Sequence, residues 1–234
     1  MKNIWLPAFI LVSALHLTGV AMEQTNLIFG TKPLLMPLLA LWFAKETHHM
    51  SPRFLKKMML VGLAFATLGD VLLLFGQQPV FFMLGLVAFL LTHLSYTGGF
   101  SSVSQLGKGF LRQQPAWILP FAAFAFGLLW WLWTGIPGGM KMPVSVYATV
   151  ITVMALSVVN LKAKVPDITY RVLTAGAGLF MLSDSLIAAS RFGGALPSSG
   201  LLIMATYLMG QFLLVKGVRD ALFSFSQDGS GAGR

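Results

Sequence analysis

Two aspartates lie in segments that are otherwise suited to lipid. Asp70 sits inside GLAFATLGDVLLLFG, residues 62–76, and Asp184 inside GAGLFMLSDSLIAASRFGG, residues 176–194. Paired carboxylates in a medium of low dielectric suit proton transfer, because one can stay protonated while the other stays ionised. Proton transfer serves either acid and base catalysis or the relay of protons during transport. Lys32, His16, His93, Tyr96 and Tyr147 are the other polar side chains in apolar runs that could join such a group.

The two segments resemble each other. Gly62 precedes Asp70 by the same eight residues that separate Gly176 from Asp184, and each run ends in Phe-Gly, at Phe75-Gly76 and Phe192-Gly193. If the segments occupy spans three and seven of eight, they run in the same direction, as in two parallel four-helix repeats.

The elements that would hold these residues follow from composition. The chain of 234 residues is 56% hydrophobic and 10% charged, with a mean hydropathy of +0.79, far from the balance of a soluble domain. A spanning helix needs about 20 mostly apolar residues. Blocks of that kind lie near 4–20, 27–44, 57–76, 79–97, 117–134, 143–161, 170–190 and 199–216. The expected fold is therefore an all-α membrane protein, eight transmembrane helices in one bundle over residues 1–220, followed by a flexible tail over 221–234. Gly19-Val20-Ala21 is a passable signal cleavage site, but only Lys2 precedes the first run, which we read as a retained helix.

The net charge of +9 comes from basic residues in the short connections, so it reports orientation rather than nucleic-acid binding. Lys2, Lys45, Arg53, Lys56, Lys57, Lys108, Arg112, Lys162, Lys164, Arg171, Lys216, Arg219 and Arg234 fall on one side. Lys141 and Arg191 fall on the other, with Lys32 set aside as intramembrane. Both termini are thus expected in the cytoplasm. The longest connections, 98–116 and 45–56, lie on the same side, and His48 and His49 of the second read as a solvated or headgroup-facing turn. The absence of cysteine excludes disulfide and thiol chemistry.

This topology puts Asp70, Asp184 and Lys32 in one layer, roughly 8–9 Å inside the outer boundary at 1.5 Å per residue. His16 and Tyr147 fall at a comparable depth, while His93 and Tyr96, at i and i+3 on span four, share a face and lie deeper. A bland account is available for every one of them. Lys32 could pair with one aspartate as glue between helices, His93 could bridge helices, and Tyr96, Tyr147 and Tyr207 could be packing or interface residues. An intramembrane charge costs ~2.5–3.5 kcal/mol and is ordinarily functional, which favours the sharper account for the charges. No nucleophile elbow, HExxH or phosphate loop is present. The spans offer too few His and carboxylate ligands for a zinc hydrolase to be favoured, so no metal or other cofactor is expected.

Four motifs in order, TKPLLMPLL (31–39), LGDVLLL (68–74), HLSY (93–96) and GAGLFMLSDSLIA (176–188), resemble the YhhN/TMEM86 family of lysoplasmalogenases over almost the whole chain. The resemblance implies hydrolysis of the vinyl ether bond of lysoplasmalogens, lysoplasmenyl-ethanolamine or -choline, to a fatty aldehyde and a glycerophospho-alcohol. It also implies that Asp70 and Asp184 are the catalytic pair. Vinyl ether hydrolysis needs a protonated acid and a group that orients water or stabilises a cation, which two buried carboxylates supply. Lys32 would bind the phosphate or keep one carboxylate ionised. His93, Tyr96 and Tyr147, with Ser183 and Ser185 beside Asp184, would orient water or line the chain pocket. The expected partners are a lysophospholipid and membrane lipids, with no nucleic acid. The family occurs in bacterial inner membranes and in animal endoplasmic reticulum, and the compact chain favours the former. The rival reading is a small lipid or solute transporter using the same Asp, Lys and His layer, and a third is a structural or binding protein.

Overall fold

The computed structural model describes residues 3–104, 109–194 and 199–231, and all its regular elements there are helical. They are α1 (Trp5–Ala21), α2 (Thr25–Glu46), α3 (Arg53–Leu74), α4 (Pro79–Ser104), α5 (Phe110–Gln113), α6 (Ile118–Leu132), α7 (Gly138–Val159), α8 (Asp167–Phe192) and α9 (Ser199–Gly231), with a 3-10 turn at Pro115–Trp117 before α6. In lipid every backbone N–H and C=O must be satisfied within its own segment, which is why apolar runs of this length become helices. Seven of them are long and apolar enough to cross a membrane, which makes the chain an integral multi-pass membrane protein. The expected first span, α1, is the shorter apolar helix, with 17 residues.

Helices α3, α7 and α8 begin three to five residues earlier than the sequence reading, at Arg53, Gly138 and Asp167, and two helix ends differ more. α4 continues from 97 to Ser104, burying Gly99, Phe100 and Ser104, so part of the expected 98–116 connection is helix. α9 continues beyond 216 to Gly231, through most of the expected tail. Hydropathy falls at Lys216, Arg219 and Asp220, but Val218, Ala221 and Leu222 still face the core. Arg219 also reaches Glu46 at the end of α2, 3.9 Å away, and Asn3 donates to the same carboxylate at 2.6 Å. Lys2, Lys108 and Arg234 of the charge count lie outside the described residues.

The helices close into a ring in the order α1, α2, α3, α4, α7, α8, α9 and back to α1, with α2 also touching α9 and α6 packed outside against α7 and α8. The most extensive seams are α3 on α4 and α8 on α9. Both seams are built on small residues, which let helices approach where no hydrophobic force drives them together. Gly62 lies beneath the ring of Tyr96, and a Cβ on Gly176 would stand 2.8 Å from the backbone nitrogen of Leu214. Inside the ring the core joins Leu35, Leu39 and Phe43 to Met59, Leu63, Met154, Phe180 and Leu214. Pro33 and Pro37 fall inside α2, one turn after Phe29 and Pro33, whose carbonyls they leave without a helical donor next to Lys32.

Candidate functional site

Asp184 projects from α8 into the space between α4 and α7. Its Oδ2 accepts a hydrogen bond from the Tyr147 hydroxyl at 2.5 Å and lies 3.0 Å from Nε2 of His93, which is itself 3.1 Å from the Tyr147 oxygen. His93 Nδ1, on the far side of the ring, is buried with no partner among the described residues. Three helices thus contribute one side chain each to a closed triangle. Two narrow crevices border it. One, of about 50 Å³ between α6, α7 and α8, is lined by Tyr147, Asp184 and Ser185. The other, of about 40 Å³ between α3, α4, α7 and α8, is lined by Tyr147, Asp184 and Phe89. Both exceed the ~10–15 Å³ that a water needs, and both have polar groups to hold one.

Asp70 projects from α3 towards α9, where the Tyr207 hydroxyl donates to its Oδ2 at 2.8 Å. One turn further along α9, Gln211 accepts from the Tyr96 hydroxyl at 2.8 Å, and its Nε2 is buried without a partner among the described residues. Lys32 and Asp184 are both within electrostatic reach of Asp70. Lys32 is half-buried and makes no ion pair within 4.0 Å among the described residues. The fully buried His16 stands near it, with Nδ1 2.8 Å from the Thr31 hydroxyl. That hydroxyl donates to Leu27, so His16 is the donor, and its buried Nε2 has no partner among the described residues. The ring of Phe180 stands between the two groups, 4.7 Å from His93 and 5.6 Å from Tyr207.

The hydrogen-bond pattern recurs. A shift of 114 residues carries Asp70 onto Asp184 and His93 onto Tyr207, so each aspartate is held by an aromatic ring from the other half of the chain. The same shift carries Gly62 onto Gly176, and it carries the contact of Gly69 with Phe89 onto the bond from Ser183 to the Ile203 carbonyl.

Of the side chains singled out in the sequence, Asp184, His93 and Tyr147 come into direct contact, and Ser185 joins them at the crevice wall. Tyr96, although it follows His93 by three residues, turns instead to α9 and Gln211. Ser183 ties α8 to α9 and makes no contact with the crevices. Tyr207, read as packing, is the donor to Asp70, and Gln211 and Thr31 were not singled out at all. Gln211, in the apolar run LMGQFLLV, carried the one available signal, an amide with no aqueous neighbour. Among the described residues His, Asp and Glu do not gather in threes that could hold a metal ion.

Comparison with known proteins gives this site a context. The model of the YhhN family matches residues 27–218. A bovine protein named Lysoplasmalogenase TMEM86A is 32% identical over 159 residues, 66% of this chain and 62% of the relative. A Mycobacterium tuberculosis protein named Lysoplasmalogenase is 30% identical over 138 residues, 58% of this chain and 51% of the relative. A mouse protein named Lysoplasmalogenase TMEM86B is 26% identical over 216 residues, 90% and 84% of the two chains. The chain therefore spans less than two thirds of the bovine and mycobacterial relatives it matches. No solved structure matches it.

Proposed function

The chain belongs to the YhhN family, and we propose that it hydrolyses the vinyl ether bond of lysoplasmalogens with Asp70 and Asp184 as its acid and base pair. The observation that carries the reading is the pair itself, two buried carboxylates within electrostatic reach of each other, one of them bordering crevices large enough for water. The relatives named lysoplasmalogenase support the choice of bond.

The reaction makes limited demands. A proton adds to the β carbon of the vinyl ether and leaves an oxocarbenium ion on the α carbon and oxygen. Water adds to the α carbon and gives up a proton, forming a hemiacetal. The hemiacetal hydroxyl then gives up its proton as the C–O bond to the glycerol breaks, the glycerol oxygen takes a proton, and an aldehyde and a glycerophospho-alcohol leave. One water is consumed and the carboxylates return to their starting states. Asp184 stabilises the cation and orients water, held by Tyr147 and His93, while Asp70 is the reservoir from which the proton comes. Lys32 keeps the Asp70 side poised through its charge or takes the phosphate, and Ser185 lines the wall.

The finer topology belongs to the same proposal. Eight spans including α1, both termini in the cytoplasm and two parallel four-helix repeats agree with the loop charges and with the 114-residue recurrence. A single membrane domain in a bacterial inner membrane is the corresponding location. The alternative is a small lipid or solute transporter, which the proton-carrying groups favour, together with Lys32, a cation with no ion pair within 4.0 Å among the described residues.

The test is aldehyde release from lysoplasmenyl-ethanolamine and lysoplasmenyl-choline by the purified protein in detergent, with a chelator control and a parallel assay of flux into vesicles. Aldehyde release that survives the chelator supports the reading. Flux without hydrolysis would replace it with transport.

A further inference from the structure

Two apolar grooves continue from the crevices at Asp184, and they lead in opposite directions along the helices. Between α4 and α7 a groove of about 170 Å³ runs from Tyr147 back to Met142 and Pro143, near the start of α7. That is the end of the ring where α8 finishes, at Phe192. Between α6 and α8 a groove of about 270 Å³ runs the other way, away from that end. It shares Phe124 and Met181 with the crevice that Asp184 borders, so the two adjoin at those side chains and together mark a path away from Asp184. The path passes Leu182 and Gly178 and reaches Pro120 near the beginning of α6. Along α8 the distance from Asp184 to Gly178 is about 9 Å.

Basic residues stand beyond both ends of this path. Arg191 stands on the last turn of α8, its guanidinium 4.6 Å from the centre of the Phe82 ring. Lys141 stands on the first turn of α7, 4.8 Å from the centre of the Trp133 ring. Both mark the end of the ring above Asp184. Lys162 stands beyond the other end, its Nζ 5.8 Å from the centre of the Trp117 ring just before α6, so a cation is present at either end and the apolar lining alone places the chain below the carboxylate.

We propose that the groove between α6 and α8, entered past Phe124 and Met181, holds the alkenyl chain of the substrate, and that Gly178 determines how long a chain is accepted. The proposal rests on the hydrolase reading for the identity of the ligand and on the groove alone for its position. α6 is the outer wall of the groove, and among the described residues its main packing is on α7, α8 and the turn before it, so a single chain can enter from the lipid at its side. A Cβ added at Gly178 would meet nothing within 4 Å, so this position is open volume rather than a tight helix contact. The larger groove of about 390 Å³ between α1 and α9 is lined by apolar residues and Ser13, and shares no residue with either crevice at Asp184.

Two experiments test the position and the length separately. In the first, an alkyl-ether lysophospholipid, which lacks the vinyl bond and is not cleaved, carries a diazirine at the chain terminus, and the labelled peptides are mapped after irradiation. Labels within 118–124 and 178–182 support the groove whether or not the protein hydrolyses anything. Labels on Phe9, Leu208 and Phe212, or on Met83 and Met142, would overturn it. In the second, Gly178→Leu is compared with the wild type on lysoplasmalogens of long and short chain, with Gly127→Leu, exposed on α6 and equally free of neighbours, as the control. The expected result is a fall of about tenfold in kcat/KM for the long chain against the short one in Gly178→Leu. Gly127→Leu is expected to leave the ratio unchanged. An unchanged ratio in Gly178→Leu would remove Gly178 as the determinant. A wild type that hydrolyses neither chain yet labels in the groove would overturn the hydrolase reading and leave the chain site standing.

Discussion

Asp70 and Asp184 are each held by an aromatic ring from the opposite half of the chain, but their access to open space differs. Asp184 is 9% exposed and borders two crevices, with a phenol and an imidazole on one of its oxygens. Asp70 is 2% exposed and faces Tyr207, with Lys32 and His16 nearby and Phe89 and Phe180 packed against the Tyr207 ring. The same backbone framework therefore presents one carboxylate to open crevices and holds the other against a tyrosine packed between two phenylalanine rings. In the acid and base reading this separates the group that meets the cation from the group that stores the proton.

Asparagine at each position is the severest test of that division. Asp184→Asn is expected to lower kcat by about 10³-fold or more, and Asp70→Asn by about 10²-fold, in protein whose melting temperature in detergent shows it to be folded. An Asp70→Asn enzyme with full activity would reduce Asp70 to a structural group. The partners of Asp184 come next. Tyr147→Phe and His93→Phe each remove one donor from the same oxygen, and each is expected to lower kcat by about tenfold with a smaller change in KM, measured in steady state. Equal losses in kcat and in melting temperature would mark them as structural instead.

The partner of Asp70 should behave differently. Tyr207→Phe deletes a buried bond to a carboxylate and is expected to destabilise the protein by about 1.5–3 kcal/mol, read as a lowered melting temperature, with less effect on kcat than Tyr147→Phe. The reverse ranking would exchange the roles of the two aspartates. The smallest effect concerns the seams. Gly176→Ala puts a methyl against the backbone of α9 and is expected to cost about 1–3 kcal/mol, while Gly178→Ala, two residues on, is expected to cost nothing measurable in the same melt.

The helices themselves were legible because apolar length is a strong signal in lipid, and Asp70 and Asp184 stood out as charges within it. What the sequence did not reveal was which helix each polar group would meet. Spacing places His93 and Tyr96 on one face of α4, yet the ring puts α8 opposite the first and α9 opposite the second. Tyr207 and Gln211 gained their partners only through that closure, since nothing local distinguishes a tyrosine that packs from one that donates to a carboxylate. The extension of α9 was hidden for a different reason. Its last turns are amphipathic, so an average over the window falls although one side remains buried.

The crossing of partners between halves also sets a timetable for biosynthesis. His93 precedes Asp184 by 91 residues, so when α8 emerges its carboxylate finds a donor already in the membrane. Tyr207 follows Asp70 by 137 residues, and until α9 arrives the first aspartate crosses into lipid without its phenol. The cost of ~2.5–3.5 kcal/mol for an intramembrane charge falls on that interval, and a nascent chain is spared it by keeping Asp70 protonated or by holding α3 at the edge of the translocon. The helix that brings Tyr207 therefore completes the setting of a residue inserted six helices earlier.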